Sequence, residues 1–286
     1  MRGSYDPALK VVNPFHAFHP CSKLRIISNQ KLIKMKNVLL ITSFTLLLVA
    51  CSKDAAFDSN PGKSGSITRF AVFQNNMYVL NLNEVQTYDI TQKDNPVLVH
   101  RLPTDYGLET ITIYDNTIFL GSTTALYILD ISNPAAPVIQ SKSDRLSDIG
   151  FSGCDPVVVK GNYAYSTIKV IQNICGNASA QSALVVYDIT NKSAPVVLGT
   201  YPLDIPNGLG YKDNYLFICD EGIDRLRIFD ITDPAMVTEF PQTLSITDPY
   251  DLIIDGQKMI VSSKTSFQIF DISDIVQIKK LGQIAK

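Results

Sequence analysis

Histidine and tryptophan are scarce in this sequence, which has three histidines and no tryptophan among 286 residues. Two of the histidines, His16 and His19, lie in the first 50 residues, so His100 stands alone in the rest of the chain. A zinc site built from several histidines is therefore excluded there, and histidine-activated nucleophiles are disfavoured. The motifs G-x-S-x-G, H-E-x-x-H and the P-loop are also absent. The sequence thus offers little for catalysis of these kinds.

Charged residues are sparse as well. They make up 18% of the chain while hydrophobic residues make up 45%, which excludes a disordered polyelectrolyte. Residues 51–286 hold 18 basic and 26 acidic residues, a net charge of −8. Nucleic acid binding depends on clustered lysine and arginine, so no nucleic acid partner is expected.

The segment that ends at Cys51 predicts export. Lys34 and Lys36 precede an uncharged run over residues 38–50, which is shorter than the roughly 20 apolar residues of a transmembrane helix. Leu48-Val49-Ala50-Cys51 resembles the lipobox of bacterial lipoproteins, in which the cysteine becomes the first residue and carries a diacylglycerol. An ordinary secretory signal with a chance cysteine is the alternative. We predict lipidation at Cys51 and attachment at the outer membrane or the cell surface.

This interpretation divides the chain into four segments. Residues 1–34 are predicted to be a non-native extension from an over-extended start site, with Met35 as the initiator. Residues 35–50 are the signal peptide, residues 51–64 a flexible polar tether, and residues 65–286 the folded domain. Membrane association is expected to come from the acyl chains on Cys51.

The folded domain is built from five repeats. They share one template, seen in the segments EVQTYDITQKDNPVLV, ALYILDISNPAAPVIQ, ALVVYDITNKSAPVVL, RLRIFDITDPAMVTEF and SFQIFDISDIVQIKKL. Each repeat has one marker aspartate, and these are Asp89, Asp130, Asp188, Asp230 and Asp271. Their spacings are 41, 58, 42 and 41 residues, so one interval carries an insertion. A period of roughly 40 to 45 residues is typical of propeller blades.

Each period holds four short strands. In the second repeat they are predicted at residues 110–114, 118–121, 125–131 and 138–141. A pair of turn-forming residues separates the first two strands, and the five pairs are Asn75-Asn76, Asp115-Asn116, Gly161-Asn162, Asp213-Asn214 and Asp255-Gly256. One such sheet cannot bury both of its faces alone, and stacking sheets around an axis buries them. We predict an all-β fold, a β-propeller of about five four-stranded blades, in preference to a parallel β-helix or an immunoglobulin-type sandwich.

The segments ALYILDISNPAAPVI and ALVVYDITNKSAPVVL resemble the LVIVD repeat of secreted and surface proteins of bacteria and archaea. The resemblance covers about residues 65–286 and implies a β-propeller, but it implies no common reaction and no established ligand. The first and last repeats depart from the pattern. Gln92-Lys93-Asp94-Asn95 replaces a tighter turn in the first, and no proline follows Asp274 in the last. Terminal blades are often atypical, because they must close the ring.

The marker aspartates are expected to be structural. A residue present in every repeat serves the blade itself, and an aspartate before Ser or Thr can accept backbone N–H groups of the following turn. A ring of five carboxylates that binds cations is the competing hypothesis.

Polar residues that differ from repeat to repeat stand at the start of the innermost strands, which approach the channel mouth of a propeller. They are Arg69, Glu109, Asp155, Asn207 and Asp251. A purely structural role would need only one residue type in every repeat, so variation at these positions favours a ligand site. Their oxygen atoms suit a hard cation such as calcium, and the arginine suits an anion. Ordinary polarity of a solvated rim explains the same residues without a metal, so we predict no metal or cofactor and leave calcium open.

The long interval places an insertion of about sixteen residues around 171–182, and long loops on rigid β scaffolds often carry binding sites. Cys175 lies in this insertion and Cys154 begins the same blade. We predict a disulfide between them in an oxidising compartment. Cys219 lies in an apolar run and is expected to be buried.

Three functions are compatible with these features. The first is a binding or scaffolding module at the cell envelope that takes an envelope or surface protein, or an extracellular ligand, without catalysis. The second is a surface hydrolase or lyase that acts on polysaccharide through Asp155 and Asp251. The third is a calcium-dependent adhesin in which Glu109 contributes to the ion site. Since propellers host enzymes as well as adaptors, the choice depends on the site, and we favour the first.

Overall fold

A computed structural model of the chain describes residues 64–65, 68–122, 125–144, 156–170 and 181–286. All of them fall in a unit that spans Asp58–Lys286. The predicted lipidation site Cys51, the predicted disulfide partners Cys154 and Cys175, and Asp155 lie outside the described residues. Within the described part of the chain, no helix is long and apolar enough to cross a membrane.

The described strands form five antiparallel sheets, the blades of a five-bladed β-propeller. A short strand, β1 (Ser64–Gly65), precedes the blades. Blade 1 contains β2 (Phe70–Phe73), β3 (Asn76–Asn81), β4 (Glu84–Asp89) and β5 (Val97–Pro103). Blade 2 contains β6 (Leu108–Tyr114), β7 (Thr117–Ser122), β8 (Ala125–Asp130) and β9 (Val138–Asp144). Blade 3 contains β10 (Val157–Lys160), β11 (Tyr163–Ile168), β12 (Ala183–Asp188) and β13 (Val196–Pro202).

Blades 4 and 5 complete the series. Blade 4 contains β14 (Pro206–Lys212), β15 (Tyr215–Asp220), β16 (Arg225–Asp230), β17 (Thr238–Glu239) and β18 (Leu244–Ser245). Blade 5 contains β19 (Pro249–Asp255), β20 (Lys258–Ser263), β21 (Ser266–Asp271) and β22 (Lys279–Ala285). In blade 4 two short strands, β17 and β18, both pair with β16 in place of one outer strand. Pro241 lies between them and has no N–H to donate, which explains the interrupted ladder.

Two-residue turns join the first two strands of every blade, as predicted, although two of the pairs are shifted. The structure turns at Gln74-Asn75 and Gly256-Gln257, one residue away from the predicted Asn75-Asn76 and Asp255-Gly256. The first residue of each turn has a positive φ, and the five are Gln74, Asp115, Gly161, Asp213 and Gly256. This left-handed conformation matches hairpin turns to the twist of the strands. Glutamine is not a typical turn-forming residue, so the first turn was predicted one residue too late.

Outside the bulges, successive side chains of a strand point to opposite faces of its blade. In each of the three inner blades, one face packs on the preceding blade and the other on the following blade. Four apolar clusters of described residues join blades 1 and 2, 2 and 3, 3 and 4, and 4 and 5. Their largest fully buried side chains include Tyr78, Phe119, Tyr165 and Phe217, which occupy the same position in successive blades. Cys219 is buried in the cluster between blades 4 and 5.

Strand β1 adds to the inner edge of blade 4. Ser64 pairs with Gly210 and Gly65 with Leu209, antiparallel to β14. The same strand lies beside β6, β10 and β19, the innermost strands of three other blades. Its direction means that the chain enters β1 from the Lys212 end of β14 and leaves toward the Pro206 end.

Candidate functional site

The marker aspartates make one recurring contact. A carboxylate oxygen, Oδ1, accepts the backbone N–H two residues later in every blade, at distances of 2.7 to 2.9 Å. Hydrogen bonds from the hydroxyl and the N–H of that same residue lower the pKa of each carboxyl. These contacts fix the turn between the third and fourth strands. The carboxylates therefore serve the blades, and they are spread one to a blade at the outer turns.

Glu109 and Asn207 lie at β-bulges near the start of the innermost strands of blades 2 and 4. The matching bulge of blade 5 contains Tyr250, one residue before Asp251. The sequence comparison had assumed that Asp251 is equivalent to Asn207, but the residue at that position in blade 5 is Tyr250. Bulges commonly change the direction of side chains near functional sites. The bulge in blade 4 directs the Asn207 side chain toward blades 3 and 5.

Asn207 is the centre of a polar network. Its side chain is 1% exposed, and its Nδ2 donates to Glu221 Oε2 at 2.9 Å and to the Pro249 carbonyl oxygen at 3.3 Å. Lys169 Nζ donates to Asn207 Oδ1 at 3.0 Å and lies 3.5 Å from Glu221 Oε2. Thr167 Oγ1 donates to the Asn207 carbonyl oxygen at 3.1 Å. The network thus ties blades 3, 4 and 5 together and leaves an ammonium group and a carboxylate at its edge.

Asp251 contacts blade 4 closely. Its Oδ1 accepts the N–H of Leu252 at 2.8 Å. A Cβ added to Gly208 would lie 2.7 Å from Asp251 Cα and would also overlap Asp251 Oδ1. Only glycine fits at position 208, so this close approach positions blade 5 against blade 4.

Arg69 contacts blade 2 next to Glu109 in the chain. Arg69 Nη2 donates to the Leu108 carbonyl oxygen at 3.3 Å. Glu109 is half-buried, and its Oε2 is buried without a hydrogen-bond partner. Of the predicted mouth residues, Arg69 therefore contacts the residue before Glu109, and Asp251 packs against the residue after Asn207.

A second buried charge network was not predicted. Asp220 is fully buried, and its carboxylate accepts the N–H of Ile205 at 2.8 Å and that of Asp204 at 3.2 Å. Arg227 Nη1 donates to Asp220 Oδ2 at 3.1 Å, and Arg227 Nη2 pairs with Glu239 at 2.7 Å. The sequence cue was available, since Asp220 and Arg227 stand at positions of β15 and β16 where the other four blades have uncharged residues.

No cluster of three or more His, Cys, Asp or Glu side chains in the described residues is placed to hold a metal ion. Asp155 lies outside that part of the chain. Burial raises the pKa of the Cys219 thiol, which keeps this thiol protonated and unsuited to nucleophilic attack. The charged side chains of the Asn207 network are Lys169 and Glu221.

A model of the LVIVD repeat family matches residues 109–144 and 178–202, the parts of blades 2 and 3 that carry two of the repeat segments. Blades 2 and 3 carry LVIVD repeats, and the fold is a β-propeller. The LVIVD match reaches the turn of Asp130 and that of Asp188, so the recurring turn contact described above belongs to the repeat itself. A comparison with curated protein sequences gave no match.

Solved structures agree with the β-propeller fold. A functionally unknown protein from Desulfotomaculum acetoxidans has a TM-score of 0.59 at 11% identity, over 76% of this chain and 69% of that one. The β-propeller domain of Cps50 (Swd1) from Myceliophteria thermophila has a TM-score of 0.52 at 12% identity, over 77% and 72%. A candidate 6-phosphogluconolactonase from Bacteroides uniformis has a TM-score of 0.55 at 12% identity, over 79% and 72%. At these identities the likeness shows the fold alone.

Proposed function

We propose that this LVIVD propeller is a lipid-anchored binding or scaffolding module of the cell envelope that carries out no covalent chemistry. Cys51 carries the acyl chains, and the protein resides at the outer membrane or the cell surface. Its partner is an envelope or surface protein with a charged, polar epitope. The fold supports a module that presents a rigid binding surface.

The polar network around Asn207 is the observation that carries this proposal. A buried amide fixes Lys169 and Glu221 by direct hydrogen bonds, so two opposite charges are held in place before any partner arrives. Preorganised charges favour specific recognition, because little side-chain freedom is lost on binding. The one histidine of the described residues, His100, lies on outer strand β5 of blade 1 and does not contact this network. The arrangement suits recognition better than proton transfer.

Strand β1 and the Asn207 network lie at different parts of β14. Ser64 pairs with Gly210, toward Lys212, whereas Asn207 lies near the Pro206 end. We propose that the partner binds at the end of blade 4 that carries Asn207.

The test is affinity capture of full-length tagged protein from cross-linked envelopes of its own host. The wild type is compared with Lys169→Glu, which reverses the charge held by Asn207, and with Lys212→Glu, the same change at the other end of blade 4. We expect one envelope protein to be recovered with the wild type and with Lys212→Glu. Its recovery falls about tenfold with Lys169→Glu, because a rim charge of the wrong sign costs at least about 1.4 kcal/mol.

A Cys51→Ala form of the chain, which cannot be acylated, serves as the anchoring control. It should recover less of the same protein, because it is no longer held beside the membrane. Equal recovery with Lys169→Glu, or recovery of abundant background proteins only, contradicts the binding proposal.

A further inference from the structure

The two end blades expose faces that are buried everywhere else in the domain. We call the face of a blade that points to the following blade its forward face, and the opposite side its backward face. Blades 1 to 4 bury their forward faces and blades 2 to 5 bury their backward faces in the four apolar clusters. No apolar cluster of the described residues contains side chains from both blade 5 and blade 1.

The forward face of blade 5 is apolar. Cross-strand pairing aligns Ile253, Ile260 and Ile269 in one row and brings Phe267 opposite Ile284 in the next. Ile253 is 54% exposed, and Ile260, Phe267 and Ile284 are also exposed. At the position of Ile253, blades 2 and 3 have Thr112 and Val158, which are both buried.

The backward face of blade 1 is equally apolar. Phe70 pairs with Val79, and Val72 pairs with Met77. Phe70 is 57% exposed and Val72 is exposed as well. The residues that occupy the position of Phe70 in the other four blades are all buried, and they are Ile111, Val157, Leu209 and Leu252.

The internal junctions show what covers each kind of face. At each junction a forward face packs on a backward face. Between blades 2 and 3, Thr112 Oγ1 donates to the Val157 carbonyl oxygen at 2.8 Å. Thr112 corresponds to Ile253 and Val157 corresponds to Phe70. Ile253 has no hydroxyl to repeat this hydrogen bond, but the same register would bring it against Phe70 of a blade 1, where the two apolar side chains would pack.

We propose that the forward face of blade 5 binds the backward face of blade 1 of a second copy of this chain. The contact repeats between two copies the junction that the chain makes four times within itself. Because two different faces meet, the association is head-to-tail and each added copy leaves one face of each kind at the ends. Contiguous exposed apolar surface of this kind is typical of interaction sites.

The test uses two differently tagged full-length copies, co-expressed in the native host and cross-linked in intact cells before solubilisation. The readout is the amount of one tagged copy recovered with the other. Phe70→Glu places a charge on the backward face of blade 1, and Ile253→Glu places the same charge on the forward face of blade 5. Met236→Glu is the matched control, since Met236 is 70% exposed and lies in a turn of blade 4 outside both faces.

We expect the amount of one tagged copy recovered with the other to depend on the variant. Wild-type copies and Met236→Glu copies recover each other. Two Phe70→Glu copies, or two Ile253→Glu copies, recover each other at least about tenfold less, because every junction then buries an unpaired charge. A Phe70→Glu copy expressed with an Ile253→Glu copy restores recovery, because one junction with two unchanged faces forms. This restoration also shows that both variants are folded.

Three results overturn the proposal. Failure of wild-type copies to recover each other favours closure of the two faces within one chain. Undiminished recovery between copies of one glutamate variant excludes these faces as the contact. Absence of restoration in the mixed pair, when wild-type copies associate, contradicts a head-to-tail arrangement.

Discussion

Asp220 is a carboxylate without exposed surface, and three donors decide its place in blade 4. Two backbone N–H groups and one guanidinium donate to it, so both oxygens of the buried charge have hydrogen-bond partners. Glu239 binds the same guanidinium from the surface side. The pair therefore holds the chain segment before β14 against β15 and β16.

Replacement of Asp220 with alanine should lower the free energy of unfolding by about 3 kcal/mol, because Arg227 would be left mostly buried without its inner partner. Glu239→Ala should cost less than about 1 kcal/mol, since the Glu239 side chain is exposed and water replaces it. Urea unfolding of the two variants and the wild type measures both changes. Equal losses for Asp220→Ala and Glu239→Ala would show that the buried network does not stabilise the blade.

The marker aspartates predict an acid limit to stability. Their pKa values are lowered in the folded state by hydrogen bonds from the residue two positions later. A carboxyl with a lowered folded pKa contributes stability above its unfolded pKa of about 3.9, and loses it as the pH falls toward the folded value. The melting temperature should therefore be level down to about pH 5 and fall below about pH 4.

A combined Asp130→Asn, Asp188→Asn and Asp230→Asn variant keeps the acceptor oxygens but cannot be protonated in this range. Its melting temperature should fall less between pH 5 and pH 3 than that of the wild type. Thermal unfolding followed by circular dichroism at a series of pH values measures the difference. The same acid loss in both proteins would assign the effect to other carboxyls.

The roles of single residues were predictable to different degrees. The marker aspartates repeat with the blade, and their turn role followed from the residue types alone. Asn207 was found because it breaks the repeat, but its partners Lys169 and Glu221 were not. Lys169 follows β11 in blade 3 and Glu221 follows β15 in blade 4, and only the packing of the two blades brings them together.

At the scale of the element, the blade is a hairpin series whose contacts with its neighbours require small residues at defined points. Every strand end in blade 2 was predicted to within three residues, because the alternation of apolar and polar residues and the turn-forming residues are clear in that part of the sequence. The split outer strand of blade 4 was missed, since a repeat template imposes four equal strands. Gly208 was not singled out, because the close approach of blade 5 is a tertiary contact.

Gly208→Ala should destabilise the junction of blades 4 and 5, since the added Cβ would lie 2.7 Å from Asp251 Cα. The backbone must move to relieve this overlap, and the expected loss is about 2 to 3 kcal/mol of unfolding free energy. Gly282→Ala is the matched control, because a Cβ there meets nothing within 4 Å. Chemical denaturation of both variants measures the costs, and a Gly208→Ala protein as stable as Gly282→Ala would contradict the close packing.

At the scale of the whole molecule, the five marker aspartates and their four spacings sufficed to predict the blade number, because each blade needs one period of chain. The exposed end faces were not predictable in this way. Blades 1 and 5 have the same alternation as the inner blades, and periodicity does not state which faces find a partner. The departures of the terminal repeats were interpreted as ring closure, whereas the described residues leave both end faces apolar and exposed.

The proposed compartment, the proposed anchor and the proposed class of partner all depend on lipidation of Cys51. The direct measurement is the intact mass of the protein purified from membranes of its own host, with fragmentation of its first peptide. We predict a chain that begins at Cys51 and carries a diacylglycerol on the sulfur, and a Cys51→Ala protein without this mass. A mature chain that begins at another residue, or an unmodified Cys51, would contradict the envelope-anchored propeller.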